Sequence, residues 1–181
     1  MNLMELFSEI RDFRRAEGRR YPLAPMLIII VMSIICGRIC YREIAGFAKA
    51  HKEEFQKYFG LKHSEMPSHV TFREIIQRTG FEEICHLFEK WAKNYVSIEK
   101  GDWLSADGKC IRSTVSDCSK SWQDFVSLAS IFAQKQGQVI RIAKFSNKKS
   151  SEIPTVAELV RILDLEGAVL SMDALHCQKK L

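Results

Sequence analysis

Ala168-Val169-Leu170-Ser171-Met172-Asp173 is a short apolar run of the kind found in strands buried within a sheet, and it ends in an acid. Just upstream, Ile153, Val156, Ala157, Val160 and Leu163 recur at helical spacing, with Ser151 placed to cap that helix. Further back, residues 125–133 and 139–145 read as two strands joined around Gln136-Gly137, a hairpin signal. Trp103-Leu104-Ser105-Ala106 reads as another short strand, ending at Asp107-Gly108. The order is therefore strand, hairpin, helix, strand. A helix crossover makes parallel neighbours possible, and if the Trp103 and Ala168 strands are parallel and adjacent, their carboxyl ends share one edge. Open sheets of this type place ligands at those ends. Asp107 and Asp173 are expected to meet there although 66 positions separate them.

The first hundred residues read instead as helices. A short one covers Met4 to Phe13, and a strongly apolar one covers Pro25 to Cys36, with its prolines at the front where a first turn tolerates them. Tyr41, Ile44, Ala45, Ala48, Phe55 and Phe59 form one stripe, and Gly60 ends that helix. Ser68 is placed to cap the next, with Phe72, Ile75 and Ile76 facing inward, and Thr79-Gly80 breaks it. A further stripe runs from Phe81 to Tyr95. The expected fold class is α+β. An all-helical domain at 1–98 precedes a mixed sheet with an α crossover at 99–181.

Composition narrows the functional classes. With 181 residues and 46% hydrophobic content, the chain can bury a core and is not disordered. A net charge of +5 permits a nucleic-acid partner without demanding one. The six cysteines show no Cys-x-x-Cys, which argues for neither a zinc ribbon nor a disulfide scaffold and suits a cytoplasmic protein. The uncharged run from Tyr21 to Gly37 is shorter than the roughly 20 apolar residues a spanning helix needs, so no membrane partner is expected.

Two adjacent carboxylates repel each other unless a cation sits between them, and hard oxygen donors suit Mg²⁺ or Mn²⁺. Such a pair can serve phosphodiester chemistry. The plainer alternative is also open, since Asp-Gly is a common turn and an aspartate after a strand often only caps a helix. Basic residues divide in the same way, between contact with DNA phosphates and a solvated face. Arg14, Arg15, Arg19 and Arg20 make the densest cluster. Lys109 and Arg112 follow Asp107, and Lys148 and Lys149 occupy a polar loop. The helix from Ser68 to Gln77, carrying His69 and Arg73, is a candidate recognition helix, although the Gly60–Pro67 break before it exceeds a helix-turn-helix turn.

Several of these stretches carry a family resemblance. Ala106-Asp107-Gly108-Lys109-Cys110-Ile111-Arg112-Ser113 resembles the first catalytic motif of the H-repeat-associated DDE transposases of bacterial insertion sequences, and Ser171-Met172-Asp173-Ala174-Leu175-His176-Cys177-Gln178-Lys179 resembles their second. Phe7-Ser8-Glu9-Ile10, Arg20-Tyr21-Pro22-Leu23 and Pro67-Ser68-His69-Val70-Thr71-Phe72 are similar to the associated N-terminal domain. The resemblance implies an RNase H-like core in which Asp107 and Asp173 are catalytic and hold two divalent ions, Mg²⁺ or Mn²⁺. It implies transposon-end DNA as partner, together with a second copy of the chain or a full-length transposase. The family's third acid, a glutamate, lies downstream of the second motif, and Glu152, Glu158 and Glu166 all precede Asp173. The chain is accordingly expected to be a truncated member, inactive in strand transfer. A non-catalytic DNA-binding remnant that modulates full-length transposase, and a small helical protein-interaction module, are the alternatives.

Overall fold

A computed structural model describes residues 2–116, 124–146, 152–163 and 167–173. The chain divides into two compact units, Met1–Leu87 and Phe88–Leu181, each with its own packing.

The first unit is helical. Helix α1 (Leu3–Ser8) opens with a reciprocal cap: Asn2 Oδ1 accepts from the Glu5 N–H at 2.9 Å, and Glu5 Oε2 accepts from the Asn2 N–H at 2.9 Å. It stops five residues short of the expected Phe13, because the chain from Glu9 onward turns to serve side-chain contacts described below. Helix α2 (Leu23–Ile35) is apolar on nearly every side, and Leu23 through Ile30 are all buried. Its one deeply buried hydroxyl, Ser33, donates to the Arg38 carbonyl at 3.1 Å and so costs little. Around α2 pack α1, α3 (Tyr41–Ala50) and α5 (His69–Arg78). Leu6, Met26, Ile29, Ile44, Phe72 and Ile75 form the innermost layer, each contributing roughly 1.5–3 kcal/mol by leaving water.

The single helix expected from Tyr41 to Phe59 is two helices. His51, at φ −108° and ψ 31°, separates α3 from α4 (Lys52–Phe59). Phe47, His51 and Phe55 still stack across the break, with ring centroids 4.7 Å and 6.1 Å apart in sequence order. Gly60 ends α4 in the left-handed conformation expected of it, at φ 64°. Helix α6 (Phe81–Ala92) closes the helical region.

The second unit is a four-stranded mixed sheet ordered β3-β2-β1-β4, made of β1 (Trp103–Ser116), β2 (Asp124–Ala133), β3 (Gln138–Ser146) and β4 (Val169–Ser171). Gly137, at φ 65°, makes the hairpin turn between β2 and β3. Helix α7 (Glu152–Leu163) crosses back from β3 to β4. Ser151, the expected cap, lies outside the described residues.

Alternation sorts the sheet residues onto two faces. Leu104, Ala106, Ala129, Ile131, Ala133 and Ile140 are buried against Val156 and Leu159 of α7. Trp103, Phe132 and Val169 stand on the opposite face and are exposed. The strand at 169–171 was expected to be buried within the sheet. Among the described residues it is instead an edge strand, with Val169 and Ser171 open to solvent.

Candidate active site

Strand β1 sets the position of the first aspartate. It was expected to end at Asp107-Gly108, yet it runs on to Ser116. Asp107 is thus an interior strand residue, directly opposite Ser130 of β2. The reason is cross-strand pairing: β1 and β2 stay in unbroken antiparallel register from Leu104↔Ala133 to Ile111↔Val126, so Asp-Gly has no freedom to turn.

The second aspartate is placed by β4. β1 and β4 pair in parallel through Trp103↔Val169, Leu104↔Leu170 and Ser105↔Ser171. Two residues further along each chain stand Asp107 and Asp173, and both are exposed. The parallel register therefore carries the two acids to the same edge of the sheet. Side chains in register on adjacent parallel strands share a face, with strands about 4.8 Å apart. Ser105 and Ser171 pair one pleat back, and Ser105 Oγ accepts a hydrogen bond from Gln134 Nε2 at 2.6 Å. Neither Asp107 nor Asp173 makes an ion pair with a described residue, so their oxygens are free to take a cation. Paired carboxylates are the hard oxygen donors that Mg²⁺ or Mn²⁺ favours. No cluster of three or more metal-ligating His, Cys, Asp or Glu exists among the described residues.

The predicted basic residues fall in different places. Lys109 is exposed and, two positions after Asp107, lies on the same face of β1. Arg112 is exposed but follows Ile111, the last regularly paired residue, so the register does not assign it to that face. Lys148 and Lys149 lie outside the described residues. His69 and Arg73 are both exposed on α5, one helical turn apart. Arg15 and Arg20 are exposed in the α1–α2 connection.

Arg14 occupies an interior position. Its side chain is 3% exposed, and the guanidinium grips Asp12 through two bonds, Nε to Oδ1 at 2.9 Å and Nη2 to Oδ2 at 2.8 Å. Nη2 also donates to the Tyr21 carbonyl at 2.7 Å. Arg19 is half-exposed and folds back on the same knot, donating from Nε to the Arg14 carbonyl at 2.8 Å and from Nη2 to the Asp12 carbonyl at 2.9 Å. The density of arginines here reflects a folded loop as well as surface charge. The Arg14 hydrogen bond, helped by the nearby Arg14 and Arg19 charges, holds the Asp12 carboxyl below its usual value despite partial burial.

One pair of residues beside α5 escaped the sequence reading. Arg42 and Gln77 join His69 and Arg73 around a shallow depression between α3 and α5. Gln77 was readable in principle, since it continues the stripe at His69 and Arg73 by a further four residues. Arg42 was not, because it belongs to another helix.

Comparison with known proteins bears on both units. The DDE_Tnp_1-associated family profile matches residues 4–92. The match covers the helical region of this chain. Along its whole length the chain is related to the H repeat-associated putative transposases. It is 28% identical over 179 residues to "H repeat-associated putative transposase YbfD" of Escherichia coli K12, covering 99% of this chain and 69% of the relative. "H repeat-associated putative transposase YhhI" of the same strain is 26% identical, covering 99% and 46%. "Putative protein YbfL", also from that strain, is 27% identical, again covering 99% and 46%. The chain thus spans about half the length of two of these relatives. Among the described residues, no helix is long and apolar enough to cross a membrane.

Proposed function

We propose that this chain acts on DNA as part of a DDE-type transposase, with an RNase H-like sheet that presents Asp107 and Asp173 as the first two acids of the site. The observation that carries this reading is the parallel β1–β4 register, which aligns two aspartates far apart in sequence. Relatives named as transposases along nearly the full chain support it. Asp107 and Asp173 would hold the divalent ion. When bound, Mg²⁺ or Mn²⁺ supplies Lewis-acid polarisation of a phosphodiester and of an attacking water or 3′-hydroxyl.

The chain's own contribution is positioning. Asp107 is fixed by pairing with β2, while the end of the β1–β4 ladder leaves both carboxylates open to solvent and so to a nucleic-acid strand. Lys109, on the same face, supplies a positive charge for the approaching phosphate. The activity proposed for the chain's own residues is binding of a divalent ion and of DNA.

Mn²⁺ titration followed by electron paramagnetic resonance tests the site. The wild-type chain should bind Mn²⁺, and Asp107→Asn and Asp173→Asn should each abolish binding. Unchanged Mn²⁺ uptake in the Asp107→Asn/Asp173→Asn double variant would refute the metal assignment. Nicking of supercoiled plasmid in Mn²⁺ that depends on Asp107 would show that the site also cleaves DNA.

A further inference from the structure

We infer that the depression between α3 and α5 is a phosphate-backbone contact surface for double-stranded DNA, with Arg42 and Arg73 as its paired cations. The inference rests on the DNA-acting reading above and assigns that contact to a specific surface of the helical unit.

The geometry begins with α5. Phe72 and Ile75 are fully buried, which turns His69, Arg73 and Gln77 outward as one stripe at i, i+4 and i+8. At 1.5 Å per residue that stripe is about 12 Å long, on the scale of the DNA major groove, about 12 Å wide. Tyr41 and Arg42, in the first turn of α3, form the other wall, and the space between is about 440 Å³. The outward residues of the α5 stripe are all polar or basic.

Charge decides what the surface takes. Arg42 and Arg73 are exposed, and no carboxylate among the described residues pairs with either. The acids beside them in sequence are already engaged. Glu43 Oε2 accepts the Cys40 backbone N–H at 3.1 Å, and Glu74 Oε1 pairs with Arg78 Nη1 at 2.8 Å. The first turn of α5 adds to the field. It holds no acidic residue, and Ser68 makes no side-chain bond at the cap position, so its N–H groups remain available to an anion. Two guanidiniums lining one concavity, neither paired with a described carboxylate, match a phosphodiester backbone.

Fluorescence anisotropy of the full chain on a 30-base-pair duplex, across a salt series, tests this. Arg42→Ala/Arg73→Ala should weaken binding roughly ten-fold and lower the slope of log K against log salt by about 1.8, the value for two lost phosphate contacts. Arg42→Lys/Arg73→Lys, which keeps both charges, should retain the wild-type slope, and circular dichroism should show both variants folded. An unchanged slope in the alanine variant, with wild-type binding intact, would overturn this surface and leave the DNA-acting reading standing. Absence of duplex binding by the wild type at low salt would overturn both, while Mn²⁺ binding at Asp107 and Asp173 would still be judged separately. Preference for duplex RNA over duplex DNA would overturn the DNA assignment.

Discussion

Arg14 offers the sharpest test of how the helical unit holds together. Its guanidinium joins three points of the chain: the Asp12 carboxylate, the Tyr21 carbonyl at the entrance to α2 and, through Tyr21, the α4–α5 connection, where the Tyr21 hydroxyl donates to the Glu65 carbonyl. Arg14→Ala removes all three donated bonds. Breaking a buried pair from one side costs about 3–5 kcal/mol, because the partner charge is left without compensation. The Asp12 side chain is 23% exposed and can recover some hydration, which places the loss at the lower end, about 3 kcal/mol. Asp12→Asn leaves the more deeply buried guanidinium unpaired and should cost about 3–4 kcal/mol. For a helical unit of this size, each kcal/mol moves the midpoint by about 4–8 °C, so either variant should melt at least about 12 °C lower. The assay is thermal and urea unfolding followed at 222 nm. pH supplies a second readout. The folded-state pKa of Asp12 is depressed, so the pair's contribution is fully present above the ordinary carboxylate value of 3.8 and is lost as pH falls through the lower folded value. Asp12→Asn should lack that acid-limb loss. A cost below about 1 kcal/mol for Arg14→Ala would show that the knot is peripheral and refute the reasoning. The same variant, assayed while folded, should keep the wild-type salt slope on DNA, since Arg14 does not reach the surface.

Other variants probe the remaining elements. Ile131→Ala and Phe132→Ala are neighbours on opposite faces of β2. The first opens a cavity at a fully buried position and should cost about 3 kcal/mol, the second about 1 kcal/mol, and equal losses in urea titrations would show that both faces are packed. Phe72→Ala, in the innermost helical layer, should cost about 3–5 kcal/mol by the same measurement. Gly60→Ala meets no nearby atom but must hold a left-handed backbone, so it should cost about 1 kcal/mol, and a stabilised protein would mean that the α4 end relaxes elsewhere.

Much of the fold was legible because burial writes itself into spacing. The stripes of α2, α5 and α7, the turn at Gly137 and the order of strands and crossover all follow from local pattern. What escaped detection depends on partners distant in sequence or on a single backbone angle. The break at His51 leaves no trace in periodicity, because Phe47, His51 and Phe55 keep their four-residue spacing straight through it. Arg14 looks like its neighbours in a charge count. Only the folded loop shows that it faces inward, toward an aspartate two residues away.

Asp107 shows where local reading and tertiary pairing part company. Asp-Gly in isolation predicts a turn, and a turn there would make the aspartate a strand-end residue. Strand β2 overrides that preference by offering a continuous ladder out to Val126, and each pair added beyond Gly108 extends β1 rather than ending it. The juxtaposition with Asp173 survives because it never depended on where β1 stops. It depends on where β4 stops: parallel pairing ends at Ser171, and both chains carry an acid two residues later. An insertion of one residue between Ser105 and Asp107 would shift Asp107 to the opposite face while leaving the β1–β4 pairs intact. Mn²⁺ binding should then be lost with β4 pairing unchanged by hydrogen exchange. Retained binding would mean that the ion is held by residues other than these two.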